Sequence, residues 1–279
     1  MEIEKRLSIV SENHAISSAY LEREVILDIY LPLNVANPSG LSLLLINDGQ
    51  NLPEMRFENI LDVLYQSYAI QPLLCVGIHC SKDRKNEYGT TGFLDYKGRG
   101  TKAAAYQQFI FEELLPFIRT TYLISSFKEK AFCGFSLGGL SALDIAWNHP
   151  QEFSRVGIFS GSLWWRTISQ HDESFNEEKH RIMHTKIRNG GYYPWLKFFF
   201  ETGTKDETAD RNNNGVIDAI DDTLSLINEL TLKGYKMDKD IKYLELDEGK
   251  HDVATWAKAF PEFLKWGWQY SANKKATSG

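Results

Sequence analysis

The 279-residue chain reads as one α/β domain: a mostly parallel central sheet, helices on both faces, and antiparallel strands at the N-terminal edge. Three observations lead there. Short, continuously apolar runs recur along the chain, as strands buried on both faces require. Between them lie segments with apolar residues three and four positions apart, the period of an amphipathic helix. One strand–turn–helix junction carries Gly134-Phe135-Ser136-Leu137-Gly138, a G-x-S-x-G sequence.

In chain order, residues 7–11 and 20–31 read as the first strands. Val25, Leu27, Ile29 and Leu31 alternate with Glu24 and Asp28 on the other parity, which suits an antiparallel edge. Residues 32–40 form a turn-rich loop. Apolar strands are then expected at 41–46, 73–78, 132–133, 156–159, 197–200 and 241–246. Helices are expected over 57–68, 103–122, 137–148, 217–234 and 253–269, with Pro116 disturbing the second. Residues 166–192 are polar and contain three histidines, a candidate cover segment within the single domain 1–279. The tail 271–279 is expected to fray.

Lys and Arg number 31 against 37 Asp and Glu, giving a net charge of −6 with no basic stripe. Nucleic acid and anionic membrane surfaces are therefore poor partners. A small molecule is the partner class left, and oligomeric state is not legible. Residues 1–7 carry no apolar leader pattern, and Cys75, Cys80 and Cys133 show no disulfide spacing. Both observations point to a cytoplasmic location with reduced thiols.

The Gly134–Gly138 junction sets the chemistry. Residues 130–133 before it read as a strand, and 139–147 after it read as a helix stopped by Pro150. Such a nucleophile elbow presents Ser136 with the positive end of a helix behind it. A serine hydroxyl needs a base, and the base needs a carboxylate to hold its tautomer. Elbow proteins order these as Ser, acid, His. Five histidines follow Ser136; only His251 comes after the last strand and before the last helix, so it is the expected base. The acid should follow the preceding strand, where Gly203-Thr204-Lys205-Asp206 can turn a carboxylate past the strand end. Asp206 is the choice, with Glu207 and Asp210 as rivals. Backbone amides of Leu137 and of Gln50, in the loop after the third strand, are the expected oxyanion donors.

The elbow, Asp48-Gly49-Gln50, 159–165 (Phe-Ser-Gly-Ser-Leu-Trp-Trp), Gly203-Thr204-Lys205-Asp206 and Gly249-Lys250-His251-Asp252 together resemble the esterase family of α/β-hydrolases. That family takes in enterochelin, feruloyl and acetyl-xylan esterases, S-formylglutathione hydrolases and mycolyltransferases. The resemblance covers about residues 20–268. It implies the α/β-hydrolase fold, a Ser136–Asp206–His251 triad with Gln50 and Leu137 as oxyanion hole, and Trp164 or Trp165 at the pocket mouth. It further implies a serine carboxylic-ester hydrolase needing no catalytic cofactor. An acyltransferase with the same triad and a non-catalytic calcium-binding module are the alternatives.

A second pattern lies in residues 210–221, Asp-Arg-Asn-Asn-Asn-Gly-Val-Ile-Asp-Ala-Ile-Asp, which fill an EF-hand-type loop. Asp210, Asn212, Asn214, Val216 (through its carbonyl), Asp218 and Asp221 are the expected ligands of a structural calcium. Gly215 takes the sharp turn. The competing reading is an Asn-rich turn capping the next helix. His180 and His184 stand four apart, but no further zinc-ligand spacing accompanies them, which favours a solvated face. Arg84 and Glu87 fit a structural pair in a loop near the strand ends.

Overall fold

The computed structural model describes residues 8–35 and 40–270; the expected tail at 271–279, residues 1–7 with the start of the first expected strand, and part of the loop 32–40 lie outside them. Eight strands make one sheet: β1 (Ser8–Ser18), β2 (Arg23–Leu33), β3 (Ser42–Asn47), β4 (Leu73–Ile78), β5 (Lys130–Phe135), β6 (Arg155–Phe159), β7 (Lys197–Lys205) and β8 (Ile241–Lys250). Their spatial order is β1-β2-β4-β3-β5-β6-β7-β8. β1 pairs antiparallel with β2, and β2 antiparallel with β4. Every later pairing is parallel, which gives the α/β-hydrolase architecture.

The apolar runs are explained by two cores. Side chains alternate across a strand, so Leu43, Leu45, Leu74, Val76 and Phe132 enter one core. Leu44, Ile46, Leu73, Cys75 and Cys133 enter the other. A strand in such a position has no polar face, and all six residues of β3 and of β4 are buried. Helices α5 (Leu137–Asn148), α7 (Ile182–Asn189) and α8 (Asp218–Lys233) cover the first core; α1 (Phe57–Gln66) and α9 (Val253–Trp268) cover the second.

The segment expected as one helix at 103–122 is three pieces: α3 (Ala103–Gln108), a π-helical stretch Phe109–Leu114, and α4 (Leu115–Tyr122). Pro116 sits in the first turn of α4. It has no N–H for the preceding turn, and its ring crowds the carbonyl four residues back, so the wider turn falls there. Residues 166–192 hold α6 (Glu177–His180) and α7, between which Arg181 bridges back to Arg166. The remaining short helix is α2 (Arg84–Glu87). No helix of the described residues is long and apolar enough to cross a membrane.

Candidate active site

β5 ends at Phe135 and α5 begins at Leu137, so Ser136 alone makes the turn. It does so at φ 55° and ψ −122°, a conformation that costs a non-glycine residue of order 1–3 kcal/mol and persists only where surrounding packing enforces it. The enforcement is visible. The Ser136 amide donates to the Phe159 carbonyl at 2.8 Å, and the Ser136 carbonyl accepts from the amides of Gly139 and Ser162 at 3.1 Å each. A Cβ on Gly134 would lie 2.5 Å from the Gly138 backbone; one on Gly138 would lie 2.5 Å from an Asp48 carboxylate oxygen. Both positions therefore exclude side chains. The Ser136 Oγ lies 3.4 Å from the Ser162 Oγ.

The β3 loop is clamped onto this turn. Asn47 Nδ2 donates to the Gly138 carbonyl at 2.8 Å, and the Tyr106 hydroxyl donates to Asn47 Oδ1 at 2.5 Å. Asp48 is 1% exposed, at φ 61°, and its carboxylate accepts two 2.7 Å bonds from the Arg84 guanidinium. Arg84 also donates to the Phe135 carbonyl at 3.1 Å. Arg84 is thus structural, as expected, but its partner is Asp48; Glu87 pairs with Arg23 instead. Gln50 follows in a single 3₁₀ turn, its side chain bonded to Cys80. Among the described residues, neither the Gln50 nor the Leu137 amide donates a hydrogen bond, so both are free for an oxyanion.

β7 runs on to Lys205 and β8 to Lys250, longer than the apolar runs alone indicated. The extension is close backbone packing: a Cβ on Gly203 would lie 2.4 Å from Gly249. Asp206 and His251 follow the two strand ends and lie near enough to feel each other's charge, with no hydrogen bond or ion pair between them. Both Asp206 carboxylate oxygens are buried and meet no hydrogen-bond partner. Burial pushes the Asp206 carboxyl above the usual value, against the lowering influence of the Gly203 backbone, the Ser160 hydroxyl and His251. His251 is exposed by accessibility, yet desolvation is the largest influence on it and holds its imidazole below 6.5; Asp206 opposes this and Arg84 reinforces it. Its ring meets Trp256 edge to face at 5.4 Å. The rivals for the acid are placed elsewhere. Glu207 is exposed, and Asp210 accepts the Asn214 and Gly215 amides.

Beneath the acid lies a residue that sequence reasoning did not single out. Glu201, in β7, is 1% exposed, and one of its oxygens has no partner. Burial, then the Asp206 charge, push its carboxyl up to about 8. Ser160, at φ 44°, links the layers: its hydroxyl accepts from Trp256 Nε1 at 2.9 Å and reaches Glu201 at 3.4 Å. A carboxylate directly following the apolar run Phe198-Phe199-Phe200 was the available signal.

Several expectations are corrected. Trp165 is fully buried, packed on Gly89 and Gly100, so it does not face solvent at a pocket mouth; Trp164 is half-buried. His184 is not on a solvated face. It is fully buried, with Nε2 3.0 Å from the Asp222 carbonyl and its pKa held far down by desolvation. His180 is bonded to the Asn176 amide, so the two histidines form no pair. In the loop 210–221, Asp218 turns to Arg211, accepting its amide at 2.8 Å. Asn212 and Asn214 point their amides at Asp221, at 2.9 and 2.8 Å. Among the described residues no group of three or more His, Cys, Asp or Glu is placed to hold a metal ion, so the expected calcium lacks that support.

Comparison with known proteins places this geometry. Residues 18–266 match the Esterase family, described as "Putative esterase". An iron(III) enterobactin esterase of Dickeya dadantii (strain 3937) is 27% identical over 168 residues, 58% of this chain and 35% of that protein. The structure of the Shigella flexneri enterobactin esterase in the presence of enterobactin superposes with a TM-score of 0.71 at 19% identity, covering 92% of this chain and 58% of that one. A ferulic acid esterase superposes at 0.64 and 16% identity, covering 94% of this chain and 98% of its own. The chain thus spans about a third of the curated relative's length and somewhat over half of the enterobactin esterase structure. With a family match running from β1 almost to the end of α9, the chain belongs to the esterase family.

Proposed function

We propose that the protein is a serine carboxylic-ester hydrolase working through an acyl-enzyme. Ser136 Oγ attacks the ester carbonyl carbon while His251 takes its proton. The tetrahedral oxyanion is held by the amides of Leu137 and Gln50. His251 then delivers the proton to the departing alkoxide, the acyl-enzyme forms, and a water activated by the same imidazole releases the acid. Asp206 holds the imidazole in the tautomer that leaves Nε2 free, and offsets the charge His251 gains.

The observation that carries this reading is Ser136 strained at φ 55° on the strand–helix turn, with a buried, unpartnered Asp206 carboxylate beside His251. A buried carboxylate with no donor is costly unless a partner moves to it, and the neighbouring imidazole N–H is the available one. The two free amides supply the remaining requirement. The names of the relatives favour acylated aromatic or siderophore-type esters as the substrate class, and a small-molecule partner.

The test is hydrolysis of 4-nitrophenyl acetate by the wild type and by Ser136→Ala, with mass spectrometry of the protein quenched during turnover. An acyl adduct on the Ser136 peptide, together with loss of turnover in the variant, supports the reading. Equal rates for the two proteins would overturn it.

A further inference from the structure

Two guanidinium groups flank the Trp164 ring, Arg99 at 5.2 Å and Arg166 at 5.9 Å from its centroid. Their charges are treated differently. Arg99 is answered by Asp95, its Nε donating to Oδ2 at 2.8 Å. Arg166 is only 9% exposed and makes no ion pair or hydrogen bond from its side chain among the described residues. Its Nε is buried and unpartnered. Three rings surround it instead: Tyr96 at 5.5 Å, Phe175 at 5.8 Å and Trp164. The acid that feels its charge, Glu177, is held by Arg211 at 2.7 Å and Arg181 at 3.5 Å.

A buried cation without an anion is unfavourable, and aromatic faces compensate only in part. Stacking does fix the plane of the guanidinium, and a fixed planar fork matches a carboxylate through two parallel N–H bonds. Its position is relevant to the reaction. Ser162, 3.4 Å from the Ser136 hydroxyl, lies four residues before Arg166, and four residues of chain span at most about 14 Å. One substrate molecule can bridge that interval.

We propose that Arg166 is a specificity-determining residue that binds a carboxylate carried by the ester substrate, with the ring of Trp164 beside it; the proposal rests on the esterase reading above. The alternative is a purely structural stack, and the two differ in what substitution does.

Matched esters separate them. Mono-4-nitrophenyl glutarate against 4-nitrophenyl butyrate places the carboxylate on the acyl side; 4-acetoxybenzoate against phenyl acetate places it on the alcohol side. Arg166→Met is expected to lower kcat/KM at least tenfold for a charged ester, mainly through KM, and to leave the neutral partner within twofold. Arg166→Lys should fall between. Which charged ester responds identifies the side. Equal effects on charged and neutral esters, or none, would overturn the proposal. Binding gives a readout free of turnover: benzoate or glutarate should quench tryptophan fluorescence of the Ser136→Ala protein and bind tenfold more weakly when Arg166→Met is added. Carboxylate binding that depends on Arg166 in a chain without esterase activity would sink the proposed function and, with it, the ester, keeping only the carboxylate site. Turnover indifferent to Arg166 would do the reverse. Should Arg166→Met fail to fold, Arg166→Lys decides: a smaller preference for the charged ester than the wild type shows supports the proposal, and an unchanged preference overturns it.

Discussion

The turn at 134–138 matches a known pattern throughout and the loop at 210–221 matches one at all but its last position, where Asp221 replaces Glu, yet the folded chain treats them differently. At the first, neighbouring backbone and packed side chains fix the turn: Gly134 and Gly138 admit no Cβ, the Asn47 side chain clamps Gly138, and the strain at Ser136 is imposed by bonds to Phe159 and Ser162. At the second, the side chains that would face an ion face one another, and Asp218 is turned to Arg211. A pattern whose positions are dictated by sterics survives folding intact. A pattern whose positions are defined by side-chain oxygens holds only if those oxygens have no better partner.

The largest expected effect tests the first region. Ser136→Ala should lower kcat by roughly 10⁴-fold or more, and His251→Ala comparably, because the members of the proposed triad act as a unit. Asp206→Asn should act through the imidazole, lowering kcat with the fold unchanged. Because desolvation holds His251 below 6.5, kcat/KM for a neutral ester should rise with pH, with a midpoint below that value. A midpoint above 7 would mean that the imidazole lies outside this environment.

Next comes the clamp on the loop after β3. Asp48→Ala leaves the Arg84 guanidinium without its carboxylate beside the Phe135 carbonyl. Removing one partner of a buried pair costs about 3–5 kcal/mol. Urea unfolding should therefore show a loss of that order, together with lower esterase activity as Gln50 shifts. A loss below about 1 kcal/mol would show that the loop holds its shape without the pair.

Much of this machinery was legible because it is local. The elbow, the parallel strands and the place of His251 follow from runs and order along the chain. What was not legible joins residues far apart. Asp48 and Arg84 are 36 positions apart, and Ser160 and Trp256 are 96 apart. Periodicity reports a face, not a partner, so His184 looked solvated until α8 covered it. Strand ends were underestimated for a related reason: polar Thr202 to Lys205 extend β7 because β8 pairs with them.

Glu201 sharpens the comparison from below the site. Its carboxyl, pushed up to about 8, is protonated in the folded chain and ionised in the unfolded chain between about pH 4.5 and 8. The folded state therefore binds the extra proton, and stability falls as pH rises through that window. The loss is at most roughly 5 kcal/mol at one pKa unit per 1.36 kcal/mol. Glu201→Gln removes the titrating proton, so its melting temperature should equal the wild type's near pH 4.5 and exceed it by several degrees at pH 9. Parallel melting curves at every pH would mean that Glu201 is already ionised in the fold.

The smallest expected effect is at the loop 210–221. As the side chains stand, Asn212 and Asn214 each donate an amide hydrogen to Asp221, and Asp210 accepts two backbone amides, so the loop closes without a cation. The nitrogen and oxygen of an asparagine amide occupy nearly the same space. Turning both amides over would aim two oxygens at the Asp221 carboxylate, which is repulsive unless an ion lies between them. Calcium therefore discriminates between the two arrangements. Closure by the amides alone predicts a melting temperature unchanged, within about 1 °C, between excess chelator and millimolar calcium. A cation that binds only the folded chain stabilises it by RT ln(1 + [L]/Kd), about 2.7 kcal/mol at a hundredfold excess over Kd. A rise of about 5 °C or more with calcium, abolished by Asp221→Asn, would establish the turned-over amides and restore the ion that the spacing of these residues indicates.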